Sequence, residues 1–342
     1  MIRTLRAKNY GCLLDVTATL TPLHAFIGPN DSGKSTLLRA IRTAFQVAKG
    51  TPNEQVSELG LDLDSPGSLI GLTFADGLSY DISVEPNRGI RTTPDIRQTG
   101  STTPGAPAEP ASLAVLRRHL EGARLLRLDP DALRRPSNLI PSSAKVDFFD
   151  ERGTGLPAVY DAIINRDVEV FLKILNEVRR LFSSVAKLGL TTLDSSGAFQ
   201  KALQATLIDG RTVSAALMSE GLLYYLAFAA VGHLDPVSAI LVEEPENGLH
   251  PARIAEVMRI LREVSTSTQV LIATHSPLVI NELLPEEVSV VTRTPEKGAR
   301  ITPILETHNF KKRSTVYALG ELWLSYANGV DEAPLIDGHE AS

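Results

Sequence analysis

Short, continuously apolar runs recur along the chain and are separated by stretches with helical spacing. The apolar run 23–27, interrupted by His24, predicts one strand, and the continuous runs 239–242 and 270–273 are typical of strands buried on both faces of a sheet. Residues 251–264 place apolar side chains three and four positions apart and predict an amphipathic helix between the second and third runs. A helix joining two buried strands indicates a parallel crossover, so the chain predicts an α/β fold.

Other apolar patterns predict antiparallel strands and further helices. Residues 1–8 alternate charged and apolar positions, and residues 69–84 hold two β-rich runs around an Ala-Asp-Gly turn, which predicts a hairpin. Residues 168–182 predict an amphipathic helix, and the uninterrupted apolar run 222–231 predicts a buried one. The expected architecture is a mixed sheet core with an N-terminal antiparallel β subdomain and a helical lobe.

Turn-forming residues mark two segments in the middle of the chain. Residues 199–208 and 213–217 flank an Asp209-Gly210 turn and predict a second hairpin. Residues 86–110 are rich in Thr, Pro, Gly and Arg without apolar periodicity, so we expect an exposed or mobile connection that need not be ordered.

Composition restricts the partners and the compartment. The 342 residues carry 34 Lys and Arg against 40 Asp and Glu, a formal charge of -6, so no overall positive field attracts nucleic acid or an anionic membrane. Cys12 is the single cysteine, which excludes an intramolecular disulfide framework and a cysteine-based zinc site. The first residues lack the apolar core of a secretory signal, and no apolar run approaches the roughly 20 residues that span a bilayer. We expect a cytoplasmic protein without a membrane segment.

A phosphate-binding motif follows the first buried run. The sequence from Gly28 to Ser35 fits G-x-x-x-x-G-K-[ST] and lies between a predicted strand and a predicted helix. Its glycines let backbone N–H groups face phosphates, Lys34 would reach the β- and γ-phosphates, and the Ser35 hydroxyl would bind Mg²⁺. A chance match has a probability of roughly one in a hundred. The motif predicts ATP and Mg²⁺ as ligands, held by Gly28, Asn30, Ser32, Gly33, Lys34, Ser35 and Thr36.

Two glutamates end the second buried run, and a histidine ends the third. At the carboxyl edge of a parallel sheet, Glu243 would hold the Mg²⁺ directly or through water, and Glu244 would activate the attacking water as general base. His275 would donate a hydrogen bond to a γ-phosphate oxygen, because its strand is expected to neighbour the carboxylate strand. Solvated strand ends and a structural histidine are the alternatives. Their convergence on one sheet edge favours a site, with Lys34, Glu244 and His275 as the catalytic residues.

The order of four motifs resembles the ATPase heads of the ABC superfamily. The motifs are GPNDSGKST at residues 28–36, Leu-Met-Ser-Glu-Gly at residues 217–221, LVEEPENGLHP at residues 241–251 and ATHSP at residues 273–277. The sequence is most similar to the SMC/RecF-like branch and to the OLD-like, defence-associated ATPases, specifically over residues 1–45 and 199–285. This resemblance implies a P-loop NTPase fold of the ABC head type.

The resemblance also implies a homodimer through the ATP site. Ser219 and Gly221 match the positions that cap the γ-phosphate bound by the opposite subunit, and a helix N-terminus directed at an anion supplies the physical reason. An ordinary helix N-cap is the alternative role of Ser219. Residues 247–250 would contact their counterpart in the second copy. A residue donated in trans contributes on the order of 10³ to 10⁵ in rate in related NTPases, so an isolated monomer should be slow.

Several features depart from the family pattern. The metal-holding position usually described as Asp is Glu243, a variant that OLD-like heads share, and no glutamine could be assigned to the link between metal and lobe movement. The middle region has no sustained heptads, so we expect a compact head without a coiled-coil arm. Because few residues follow residue 310, any nuclease is expected to be a separate chain. The predicted organisation is one head over 1–342, with lobe I at about 1–90 and 235–310, lobe II at about 91–234 and a helical tail at 311–342.

The predicted function is an ATPase that dimerises around ATP and couples closure to a partner effector or a DNA transaction, in bacterial defence or DNA repair. The alternative is a nucleotide-gated scaffold with little hydrolysis that controls a nuclease or toxin chain. Direct DNA binding is a third interpretation, although basic pairs are more often solvated surface. A phosphoryl-transferring kinase is a further alternative, but the sequence shows no motif for binding a phosphate acceptor. The basic segments concerned are residues 117–118, 134–135, 179–180 and 311–313.

Overall fold

The structure is a computed structural model. Its described residues are 1–50, 67–84, 90–91, 110–195, 198–294, 296–307, 310 and 318–326. Most of the predicted connection 86–110, the basic segment 311–313 and most of the predicted tail lie outside these residues.

The central sheet of the described chain contains the three predicted buried strands side by side. Strands β3, β13 and β12 are parallel, and the register pairs Ile27 with Thr274 and Ala273 with Glu243. The prediction of a parallel crossover is confirmed, because the helix Pro251–Ser265 connects β12 to β13. In spatial order the strands are Gly298–Pro303 (β15), Val288–Thr294 (β14), Leu23–Ile27 (β3), Gln269–Thr274 (β13), Ala239–Glu243 (β12) and Ala123–Leu126 (β7).

A second sheet is antiparallel and shares a core with the first. The predicted hairpin of residues 69–84 is confirmed as part of it. The helix Lys34–Ala48 contacts both sheets, and its apolar face, which includes Leu37, Leu38 and Ile41, is fully buried between them. The strands, in spatial order, are Leu13–Thr19 (β2), Ile2–Tyr10 (β1), Leu69–Phe74 (β4), Ser79–Val84 (β5) and Ile90–Arg91 (β6).

A third, smaller sheet is accompanied by several helices. Ser137–Asn138 (β8), Val185–Ser195 (β9), Ala198–Leu207 (β10) and Thr212–Ser214 (β11) form it, with β10 paired to each of the others. The second predicted hairpin is confirmed only in part, since residues 215–217 leave the strand as a 3-10 turn. The helices are Pro130–Leu133, Leu156–Arg166, Val168–Leu181, Glu220–Val231 and Pro251–Ser265.

The two long helices predicted in the middle region are both present. Val168–Leu181 begins at Asp167, whose carboxylate accepts from the N–H groups of Glu169 and Val170, and it buries Val178 and Leu181 on one face. In Glu220–Val231 every residue from Leu222 to Val231 is buried, as its uninterrupted apolar run requires.

Contacts divide the chain into two compact units. The first unit comprises residues 1–125, 237–244 and 265–342, and the second comprises 126–236 and 245–264. The first unit also contains the helices Pro110–His119, Pro277–Asn281 and Leu319–Tyr326. The helix after β12 thus belongs to the second unit, whereas the sequence grouped it with the nucleotide-binding core. The predicted lobe boundaries stay a prediction.

Among the described residues, no helix combines the length and the apolar character that crossing a bilayer requires.

Candidate functional site

Three of the predicted motifs leave the central sheet at the same edge. The phosphate loop follows β3, His275 follows β13, and Glu243 is the last residue of β12. The three strands are parallel and adjacent in the order β3, β13, β12, so their carboxyl ends lie next to one another. The expectation that the histidine strand neighbours the carboxylate strand is confirmed.

Glycines shape the phosphate loop by two different physical routes. Gly33 has φ of 109°, a left-handed conformation that side chains disfavour, and a Cβ added there would lie 2.8 Å from Cys12 Sγ. A Cβ at Gly28 would lie 2.2 Å from the carbonyl oxygen of Val291 in β14. Both positions therefore require glycine. The contact at Gly28 comes from β14, and the contact at Gly33 comes from the turn between β1 and β2.

The Lys34 side chain lies within the loop rather than in solvent. It is 7% exposed, and its Nζ donates to the carbonyl oxygens of Gly28 and Pro29 at 2.8 and 2.7 Å. Carbonyl oxygens hold an ammonium group in the position where phosphate oxygens could replace them. The loop thus holds a buried positive charge directly after β3.

Ser32 has a buried hydroxyl within the same loop. Its side chain is 1% exposed, and its Oγ finds no hydrogen-bond partner in the described part of the chain. An unsatisfied buried hydroxyl costs about 1–3 kcal/mol, so such atoms call for an explanation. A phosphate oxygen accepting from Ser32 would supply one.

The remaining loop residues differ in exposure. Asn30 is exposed, whereas Ser35 and Thr36 are partly buried at the first turn of the helix Lys34–Ala48. Asp31 has φ of 64°, and its carbonyl oxygen accepts from the Arg293 guanidinium at 3.4 Å. Arg293 was not among the predicted site residues, because it lies in β14, which carries no motif of its own.

Glu244 has a backbone conformation that is rare for its residue type. Its φ is 47°, which costs a non-glycine residue about 1–2 kcal/mol, and its N–H donates to the carbonyl oxygen of Ala273 at 2.8 Å. Glu243, one residue earlier, is partly buried at the end of β12. The left-handed conformation therefore falls at the residue directly after β12.

The side chains of Glu244 and His275 are in direct contact. His275 Nδ1 lies 3.1 Å from Glu244 Oε1, with half of the histidine side chain and a third of the glutamate exposed. A carboxylate beside an imidazole can orient the ring and share a proton with it. The sequence placed both residues at one edge but did not predict this pair.

The predicted γ-phosphate cap lies in the second unit. Ser219 is the N-cap of the helix Glu220–Val231, and its Oγ accepts from the Leu222 N–H at 3.4 Å. Ser219 and Glu220 are exposed, and Leu217 is 77% exposed. Ser219 therefore has the helix N-cap role that was considered as the alternative, and it lies at the surface of its unit.

Residues 247–250 pack against the start of that helix. Gly248 has φ of 67°, a Cβ added to it would lie 2.2 Å from the Tyr224 ring, and its carbonyl oxygen lies 3.5 Å from a Cβ built on Gly221. Asn247 and His250 are exposed. The turn after the glutamate pair and the Ser219 segment thus form one packed element in the second unit.

The predicted ligands fit the residues present. The glycine-shaped loop, the buried Lys34 ammonium and the Ser32 hydroxyl suit a phosphate group. For Mg²⁺, Ser35 and Glu243 provide a hydroxyl and a carboxylate, the oxygen donors that this ion prefers. Mg²⁺ in such sites takes its other ligands from water and substrate phosphates, so two protein groups are enough.

Three arginines from two of the basic pairs considered for DNA make contacts within the second unit. Arg134 donates to Asp131 Oδ1 and to the carbonyl oxygen of Met218, and Arg179 donates to the carbonyl oxygen of Ala186. Arg180 pairs with Glu177 and Glu256, each at 2.8 Å. These contacts give Arg134, Arg179 and Arg180 a structural role.

Comparison with known proteins points to one family. The family model described as "AAA domain, putative AbiEii toxin, Type IV TA system" matches residues 23–281 of the chain. Over 41 residues the chain is 51% identical to a protein named OLD nuclease from Thermus scotoductus, a stretch that covers 12% of the chain and 8% of that protein.

Solved SMC heads share the fold. The chain is similar to an SMC head bound to the C-terminal winged-helix domain of ScpA, with a TM-score of 0.56 and 16% identity, covering 88% of this chain and 97% of that one. A Pyrococcus furiosus SMC head with an extended coiled coil, bound to the C-terminal domain of ScpA, gives a TM-score of 0.52 at 13% identity over 88% and 95%. These similarities confirm the predicted α/β P-loop fold with its mixed and antiparallel sheets.

Proposed function

Because the chain belongs to the AAA-domain family whose model it matches, a family of P-loop ATPases, we propose that it binds ATP with Mg²⁺, hydrolyses it and dimerises around it. The observation that carries the proposal is the sheet edge where the phosphate loop, the glutamate pair and His275 meet. The substrate is a nucleoside triphosphate, because the loop presents N–H groups, a buried ammonium and hydroxyls to phosphates.

Each residue of the edge has a proposed task. Lys34 exchanges its carbonyl partners for β- and γ-phosphate oxygens, and Ser32 donates its hydroxyl to a phosphate. Ser35 and Glu243 hold Mg²⁺, which neutralises charge on the phosphates during transfer. Gly28, Asn30, Gly33 and Thr36 complete the loop around the nucleotide.

Hydrolysis requires a base for the attacking water. Glu244 takes that proton, from its position directly after β12, where its backbone is in the αL conformation. His275, which contacts Glu244, donates to the γ-phosphate when ATP is bound. The pair thereby links recognition of the γ-phosphate to activation of water.

The second copy of the chain completes the site. Ser219 and Gly221 lie at an exposed helix N-terminus in the second unit, a position from which they would cap the γ-phosphate of another protomer. Residues 247–250 pack beside this helix start, so they would approach the partner together with it. Closure depends on ATP, and hydrolysis reopens the pair.

Closure is proposed to control a separate nuclease or toxin chain in bacterial defence. The support is the family description, which names a toxin of a type IV system, and the local identity to an OLD nuclease. The alternative is that closure of the dimer drives a DNA transaction such as repair. DNA-stimulated turnover that falls steeply with salt would favour it, and its absence would favour a protein effector.

Turnover of purified protein tests the proposal. We expect Lys34→Ala to weaken ATP binding itself, because the cation is lost, whereas Glu244→Gln should bind ATP and accumulate as an ATP-bound dimer with turnover reduced at least about 100-fold. Nucleotide affinity, dimer fraction and phosphate release separate the two variants.

Two variants with the same defect would contradict the roles assigned to Lys34 and Glu244. Wild-type protein that binds ATP and closes without measurable turnover would identify the nucleotide-gated scaffold instead of the ATPase.

A further inference from the structure

A helix distant in sequence packs on the segment that follows His275. The helix Leu319–Tyr326 contacts the short helix Pro277–Asn281, which begins two residues after the histidine. Both belong to the first unit. No motif in residues 319–326 indicated this neighbour.

Trp323 makes the contact closest to the site. Its side chain is 4% exposed, and its indole Nε1 donates to the backbone carbonyl oxygen of His275 at 3.2 Å. His275 is the first residue beyond β13, so this hydrogen bond holds the backbone where the strand ends. A buried indole N–H has only one hydrogen bond to give, and here it is given to the predicted catalytic histidine.

Gly320 fastens the same helix one turn earlier. Its N–H donates to Asn281 Oδ1 at 2.7 Å, and a Cβ added to it would lie 2.1 Å from the carbonyl oxygen of Pro277. Only glycine permits that approach of the two backbones. Trp323 and Gly320 therefore hold the two ends of the segment from His275 to Asn281.

We propose that Trp323 is a positioning residue for His275, and that the helix Leu319–Tyr326 controls where the imidazole lies. The indole N–H holds the histidine backbone, and the half-exposed imidazole ring contacts the Glu244 carboxylate. Loss of the indole bond lets the turn after β13 shift, and the ring shifts with it. This inference rests on the proposed role of His275 in ATP hydrolysis.

NMR signals of the His275 imidazole test, in protein without nucleotide, whether Trp323 controls the position of the ring. In Trp323→Phe, which removes the N–H and keeps an aromatic ring, we expect the imidazole ¹H–¹³C signals of His275 to shift in the nucleotide-free protein. The signals are assigned by their loss in His275→Ala. Gly320→Ala should shift the same signals, because the added methyl group pushes the helix away without altering the indole.

The single tryptophan reports whether the helix has moved. Trp323 is the only tryptophan of the chain, so acrylamide quenching of intrinsic fluorescence measures its burial directly. Quenching should increase in Gly320→Ala. Gly189→Ala is the matched control, since a Cβ there meets nothing within 4 Å and its φ is not positive.

Kinetics test whether the position matters for turnover. Trp323→Phe should lower kcat about three- to tenfold, the range expected for one lost hydrogen bond, with the KM for ATP nearly unchanged. In a His275→Ala background the same substitution should have no further effect, because Trp323 acts through His275. A merely structural role would lower thermal stability and give additive effects.

The outcomes separate the two proposals. Unmoved His275 signals in both Trp323→Phe and Gly320→Ala, or additive effects on kcat in the double variant, would overturn the positioning role. If the signals shift in these variants but the wild-type protein shows no turnover, ATP hydrolysis is refuted and the positioning of His275 by Trp323 stands.

Discussion

At the scale of single residues, the Ser32 hydroxyl is a group that ligand binding would use and that folding does not need. The hydroxyl is buried and has no hydrogen-bond partner in the described chain. Removing the hydroxyl therefore breaks no hydrogen bond and should not lower the stability of the fold. Lys34, like Ser32, would gain a stronger partner from a phosphate, because in the protein its ammonium group donates to two neutral carbonyl oxygens.

Ser32→Ala should leave the free energy of unfolding unchanged or raise it by about 1 kcal/mol, because an unsatisfied polar atom disappears. ATP affinity should fall about five- to tenfold, since one hydrogen bond to phosphate is lost. Denaturant unfolding and nucleotide titration measure the two effects.

Ser137→Ala is the matched control for this substitution. Ser137 Oγ is also buried, but it accepts from the Ala158 N–H at 3.0 Å. Its loss should cost about 1–2 kcal/mol of stability and leave ATP affinity intact. If Ser32→Ala behaved in the same way, the hydroxyl would be a structural group and not a phosphate ligand.

At the scale of elements, close glycine contacts join segments that sequence separates. Gly28 lies against β14, Gly320 lies against the segment after His275, and Gly248 lies against the Tyr224 ring. The last contact connects the turn after the glutamate pair to the helix that begins at Ser219. The two segments predicted to face a second copy are thus held as one surface of the second unit.

Gly248→Ala should destabilise the second unit by about 1–3 kcal/mol, because the methyl group overlaps the Tyr224 ring and φ is positive. Denaturant unfolding followed by circular dichroism measures the loss. Gly210→Ala is the control, since φ is 85° there but a Cβ meets nothing within 4 Å. The difference between the two variants isolates the ring contact, and equal losses would show that this contact carries no energy.

At the scale of the whole molecule, the proposed dimer requires residues from two copies in each site. Lys34 lies in the first unit and Ser219 in the second. A protein altered at Lys34 and another altered at Ser219 could therefore complement each other in a mixed dimer. The Ser219 variant must preserve the helix cap, because a lost cap would itself destabilise the protein.

Ser219→Asp meets this condition, since Asp caps as well as Ser but places a negative charge toward phosphate. Alone, Ser219→Asp and Lys34→Ala should both be inactive. Mixed in equal amounts, they should recover about a quarter of wild-type turnover, because half of the dimers contain one intact site of two. Phosphate release across a range of mixing ratios measures the recovery.

Ser219→Asn provides the control, because it caps the helix without adding a charge and should retain much more activity than Ser219→Asp. Absence of recovery in samples where differently tagged copies are shown to associate would contradict a site shared between protomers.

The amino-acid sequence determined the parts of this protein whose signals are local. Hydrophobic period alone predicted the buried strands, the crossover helix and the first hairpin, because burial on two faces and burial on one face leave different patterns. The glycine-lysine motif, the glutamate pair and His275 were predicted at one edge, because parallel strands end together. The second hairpin was predicted too long, since apolar residues 215–217 continue the pattern after the strand has ended.

The tertiary structure decided everything that depends on residues distant in sequence. The left-handed turn at Glu244, its contact with His275 and the indole of Trp323 leave no periodic trace. The same holds for the Ser32 hydroxyl, which has no partner among the described residues. Each results from two segments that packing brings together, and a one-dimensional pattern records the burial of a residue but not the identity of its neighbour. Periodicity therefore specified which side chains are inside, whereas chain topology specified which of them meet.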